Sequence, residues 1–202
     1  MPETHTPTTT SLTWRPALAE AHRLLREAVG GVPVDAWRRA TPCAEWNVAQ
    51  VLHHALGDQI AYTAALTGGD GPSWNPFQPS GDLGADPAAA LGQALTANAA
   101  AWAAVADDAA DVPNPLPQGP LPAWLAAGAD ALDAAVHAWD IAVATGNPSP
   151  LTPDLAGFLL TVAQEIVEPL RAYGAYGPVV TAAPDPVAAL LGYLGRDPNW
   201  AA

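Results

Sequence analysis

The fold turns on Ala123–Gly146, AWLAAGADALDAAVHAWDIAVATG. It reads as one long helix, because its apolar residues run on without the alternation of a strand and Gly146-Asn147-Pro148 supplies a stop. Within it, Asp133, His137 and Asp140 are spaced by four and three residues. That spacing puts two carboxylates and an imidazole on one helical face.

Working outward, the helical pattern recurs. Leu18, Ala21, Leu24, Leu25 and Ala28 mark a core-facing helix over Pro16–Val29, stopped by Gly30-Gly31. A second helix opens at Asn47, with Gln50 three residues on as in a capping box, and ends at Gly68-Gly69. His54 lies on a flank of this helix able to face a bundle interior, and its neighbour His53 points about 100° away. An Ala-rich helix is expected over Pro87–Ala106, a further one over Pro153–Tyr173 in which Pro169 implies a kink or an early stop, and a short one over Pro186–Leu194. Between them, Gly69–Pro87 reads as a loop carrying Trp74 and Phe77, Asp111–Pro122 as a Pro-rich turn, and Val179–Ala182 as a short extended run. The expectation is an all-α chain: a disordered lead-in over 1–12, then one helical domain over 13–202.

Composition narrows the function. Half of the 202 residues are apolar, enough for one sizeable core. The side-chain cations are seven arginines without a single lysine, and the formal charge is -13. Such a surface repels phosphate backbones and anionic lipid, so neither nucleic acid nor a membrane is an expected partner. One cysteine, Cys43, permits no internal disulfide, and the Thr-rich start lacks the basic and apolar segments of a secretory signal, so the expected location is cytoplasmic.

An acid and a histidine one helical turn apart can grip one metal ion, and a working Zn²⁺ site takes three protein ligands and keeps one place open. With Asp133 and His137 as two ligands, His54 is the best third. Asp140 is either a further ligand or the acceptor that fixes the His137 tautomer. The blander alternatives are a surface or core histidine at 54 and an ordinary ion pair for Asp133–His137. His22 and His53 keep that bland reading, Cys43 reads as a small buried apolar residue, and most tryptophans read as core.

Thr41-Pro42-Cys43-Ala44-Glu45-Trp46 with Val51-Leu52-His53-His54, His137-Ala138-Trp139-Asp140-Ile141-Ala142 with Ala144-Thr145-Gly146, and the closing Leu194-Gly195-Arg196-Asp197-Pro198-Asn199-Trp200 resemble segments of actinobacterial DinB/YfiT-like proteins. These group with the N-terminal domain of mycothiol-dependent maleylpyruvate isomerase. The resemblance implies a DinB-like four-helix bundle with extra short C-terminal elements and a divalent metal, Zn²⁺ with Ni²⁺ or Fe²⁺ as alternatives. It places His54, Asp133 and His137 as ligands, with Asp133 standing where the family acid is often Glu. The isomerase also has a C-terminal domain contributing to its active site, and this sequence ends where that domain begins, so isomerase activity itself is not carried over.

What the resemblance implies is a metal-dependent S-transferase that joins a low-molecular-weight thiol, mycothiol or a relative, to a small electrophile. Trp46, Trp139, Trp74 and Phe77 are the candidate pocket lining. A metal-dependent hydrolase or tailoring enzyme that activates water, and a non-catalytic small-ligand binder, are the alternatives. Either a monomer or a homodimer is expected.

Overall fold

Helix α4 explains the rest of the architecture, because nineteen of its twenty-two residues, Ala123–Ala144, are buried. A helix enclosed on nearly every side must be lined with small residues, and ten of the twenty-two here are alanine. In the computed structural model, which describes residues 12–181 and 185–201, α4 packs against α1 (Trp14–Gly30), α2 (Val48–Thr67) and α5 (Pro153–Ala172). Helix α3 (Pro87–Ala103) closes the bundle against α2 and α1, and the short α6 (Pro186–Tyr193) rests on α5. Among the described residues there is no strand, only two isolated antiparallel bridges, Ala40–Asn47 and Val112–Leu121. The chain is thus all-α, a four-helix bundle of α1–α4 extended by α5 and α6. Apart from Leu12, the expected lead-in lies outside the described residues, as does Ala182 at the end of the expected extended run.

Local chemistry sets the helix ends. Asn47 Oδ1 accepts from the Gln50 amide at 3.0 Å and Gln50 Oε1 accepts from the Asn47 amide at 3.1 Å, so both halves of the capping box form. Gly68 ends α2 at φ 71°, in the left-handed region. Pro169 does not stop α5, which runs on to Ala172. Pro169 and Glu165, the residue whose carbonyl loses an amide partner, are both exposed, so the missing bond falls on the solvent side of the helix. Helix α1 buries Ala17, Leu18, Ala21, Leu24, Leu25 and Ala28 against the bundle. Each fully enclosed leucine, such as Leu25 or Leu132, contributes about 1.5–3 kcal/mol. Helices α4 and α5 approach so closely at Gly128 that a Cβ there would stand 2.5 Å from Val162 Cγ2.

One polar cluster crosses this core. Asp130 on α4, wholly enclosed, accepts from Gln59 Nε2 on α2 at 2.6 Å and from Asn98 Nδ2 and Trp102 Nε1 on α3 at 2.8 and 2.7 Å. It ties three helices together one turn below Asp133, and the Gln59 and Asn98 side-chain oxygens remain without partners.

Candidate metal centre

The capped start of α2 and the enclosed path of α4 bring His54, Asp133 and His137 together, with one ligand atom from each within 4.8 Å of the others. Asp133 Oδ1 stands 3.3 Å from His54 Nε2 and 3.3 Å from His137 Nε2. The imidazoles meet edge to face, with centroids 4.9 Å apart.

The far side of each ring decides what the near side can do. His54 Nδ1 is 3.0 Å from the Pro76 carbonyl, an acceptor only, so Nδ1 carries the hydrogen and donates. His137 Nδ1 lies 2.8 Å from Asp140 Oδ2, and Asp140 also accepts from Arg196 Nε at 2.9 Å and Nη2 at 2.7 Å. In the neutral form both rings therefore turn an Nε2 lone pair toward a carboxylate oxygen, with no hydrogen between them. Such a group needs a positive charge at its centre, either an extra proton or a cation.

The electrostatics carry that demand. Burial opposes an imidazolium at His137, yet the carboxylates of Asp133 and Asp140 outweigh it and push the ring up to about 9. Burial would raise Asp133, but His137 and His54 hold it well below the usual carboxylate range. Burial would raise Asp140 too, and the Arg196 guanidinium keeps it low and ionised.

A divalent ion fits these residues. Ligands about 2.0–2.2 Å from a tetrahedral ion stand about 3.4 Å apart, close to the 3.3 Å separations seen. The donors are imidazole nitrogen and carboxylate oxygen, and buried Asp133 Oδ2 has no other partner. Asp140 supports His137 from behind, as a carboxylate commonly does for a metal-bound histidine.

The other expected site residues divide. The Trp46 ring stands 4.8 Å from His54 and Phe77 5.9 Å, so both border the centre, Phe77 from an exposed position. Trp74 instead stacks on His53 at 4.5 Å, on the neighbouring face of α2. Trp139 lies two residues past His137, roughly 160° round the axis, and is buried in the core. Cys43 is half-buried, with its thiol pushed up to about 11 by burial and then by the Asp140 charge, so it stays protonated.

Three contributions were not foreseen. Arg196 reaches Asp140 across 56 positions of sequence, and the Pro76 carbonyl reaches His54 across 22. Gly57 permits the latter, since a Cβ there would stand 2.9 Å from Pro76 Cγ. The third is Asp58, whose Oδ2 lies 3.8 Å from His54 Nε2, the ring nitrogen that also faces Asp133. Burial and the nearby Asp133 push its carboxyl up to about 7. Its one-turn spacing from His54 was legible, but its aim was not.

The arrangement suits a metal-dependent catalytic or binding role. Two uncharacterised proteins of Mycobacterium tuberculosis, from strains CDC 1551 / Oshkosh and ATCC 25618 / H37Rv, are each 30% identical over 161 residues, 74% of this chain and 79% of the relative. No solved structure gives a significant match. The profile of one family covers residues 18–142, from α1 through the Asp133–His137 turn of α4. With that span holding all three converging residues, the chain belongs to the family of the mycothiol maleylpyruvate isomerase N-terminal domain.

Proposed function

We propose that this protein is a metal-dependent thiol S-transferase that joins a low-molecular-weight thiol, mycothiol or a relative, to a small electrophile. The observation that carries the reading is the convergence of two imidazole lone pairs and a carboxylate oxygen on one point, with each ring locked from behind. The thiol comes from the family's own description, which names mycothiol. Zn²⁺ is the ion expected, with Ni²⁺ and Fe²⁺ as alternatives for the same donors.

His54, Asp133 and His137 would hold the ion. It would supply acidity to a thiol entering its open place, leaving a nucleophilic sulfur at neutral pH. The Pro76 carbonyl and Asp140 fix the two ring orientations, and Trp46 and Phe77 offer the electrophile an apolar border. Asp58 favours a second reading, because an ionisable carboxylate beside the open place also suits withdrawing a proton from water in a hydrolase.

Two measurements test this. Elemental analysis of the purified protein should find about one divalent ion per chain, lost in the His54→Ala/His137→Ala variant. Equal metal in both removes the site. Incubation with candidate electrophiles should give thioether adducts by mass spectrometry only when thiol is added. Hydrolysis without thiol would favour the second reading, and an absence of adducts under every thiol tried overturns the first.

A further inference from the structure

The thiol and its acceptor meet a centre whose cations are already committed. Side-chain positive charge in this sequence comes from seven arginines and from histidine, with no lysine. Arg196, the arginine built into the centre, gives Nε and Nη2 to Asp140 and is only 9% exposed. Arg171 donates to the Gly177 and Tyr193 carbonyls and pairs with Glu168. Arg15 pairs with Asp107, and Arg23 with Glu20 and Glu27. Arg26 is exposed on α1, and Arg38 and Arg39 are exposed in the connection before α2.

Charge at the open place can then be followed group by group. Of a divalent ion's two positive charges, Asp133 offsets one and an entering thiolate the other. Asp140 and Arg196 neutralise each other. Asp58 is left over, its Oδ2 3.8 Å from His54 Nε2 and, among the described residues, paired with no cation other than that ring. The chain's net charge of -13 adds to the same field. Trp46 and Phe77 add ring faces, which attract cations and repel anions.

We infer that the centre selects thiols and electrophiles whose remaining groups are neutral or cationic, and discriminates against those bearing carboxylate or phosphate. This rests on the thiolate reading above and names the substrate class that it left open. An anionic substrate is usually held by an arginine clamp, and Arg15, Arg23, Arg171 and Arg196 are already paired with carboxylates of the chain itself.

The test uses the full-length protein loaded with Co²⁺, titrated at pH 8 and low salt with cysteamine, 2-mercaptoethanol and 3-mercaptopropionate. The near-ultraviolet sulfur-to-cobalt band gives each Kd. The three thiols differ in acidity, so the readout is the cationic-to-anionic affinity ratio in the parent protein set against that in Asp58→Asn and against that in high salt. One uncompensated charge several ångströms away shifts the ratio about tenfold between a cation and an anion. That preference should shrink severalfold in Asp58→Asn, and likewise in salt for the parent. Thiol binding with an unchanged ratio, or with 3-mercaptopropionate the tightest, overturns the charge selection and leaves the thiolate reading standing. No band with any thiol overturns both.

Discussion

Asp130→Asn separates the charge of the buried carboxylate from its hydrogen bonds. In the folded chain burial outweighs the donors Asn98, Trp102 and Gln59 and lifts the carboxyl from 3.8 to about 7. Between those two values the folded chain keeps a proton that the unfolded chain has lost. The stability this gives is therefore fully present below about pH 4 and is lost as pH rises through 7. The gap is worth about 4 kcal/mol, a large part of the roughly 5–15 kcal/mol that holds a domain folded. Asparagine preserves the shape. Its oxygen accepts from Asn98 and Trp102, and its amide meets Gln59 Oε1, an unpartnered acceptor, once that side chain turns over. Urea unfolding of both proteins from pH 4 to pH 8 is the assay. The parent should lose about 4 kcal/mol relative to the variant across that span and be the less stable of the two at pH 8. Parallel stability curves would refute the reasoning, since they would mean that Asp130 has the same pKa folded and unfolded.

Asp140→Asn takes the charge from behind His137 and strands Arg196. Affinity for the metal, measured by chelator competition, should fall about 10- to 100-fold, and stability by about 3–5 kcal/mol. Unchanged affinity would show that Asp140 does not orient the ring. Gly57→Ala drives a methyl against Pro76 and Trp74 Nε1, at 2.9 and 3.1 Å. It should cost about 1–3 kcal/mol in thermal unfolding, shift tryptophan fluorescence and weaken metal binding as His54 loses its acceptor. A variant that keeps the parent's stability and metal affinity would show that the loop is not seated there.

Much of this protein was legible in sequence where the cause is local. Asn47 and Gln50 announced the start of α2 because a capping box is complete within four residues. Helical spacing paired Asp133 with His137 and put His54 on a flank able to face them, the family motifs pointed to the same three residues, and the fold places their ligand atoms together. Legibility ended where tertiary packing decides. Pro169 sits inside α5 because its side of the helix faces water, a fact about neighbours rather than about proline. Trp139, beside a site residue in sequence, points into the core, while Trp74 found His53 in place of His54. Nothing near Asp140 in sequence indicates that its partner is Arg196, and nothing near His54 indicates a proline carbonyl from the following loop.

The Arg196–Asp140 contact also bears on how firmly an ion would be gripped. A carboxylate with only the imidazole to serve pushes electron density through the ring and makes its far nitrogen a strong base. Here both carboxylate oxygens already answer a guanidinium, so the push reaching His137 Nε2 is diluted. An ion held by His54, Asp133 and His137 would then pass to a chelator sooner than one held by the same three donors over a bare carboxylate.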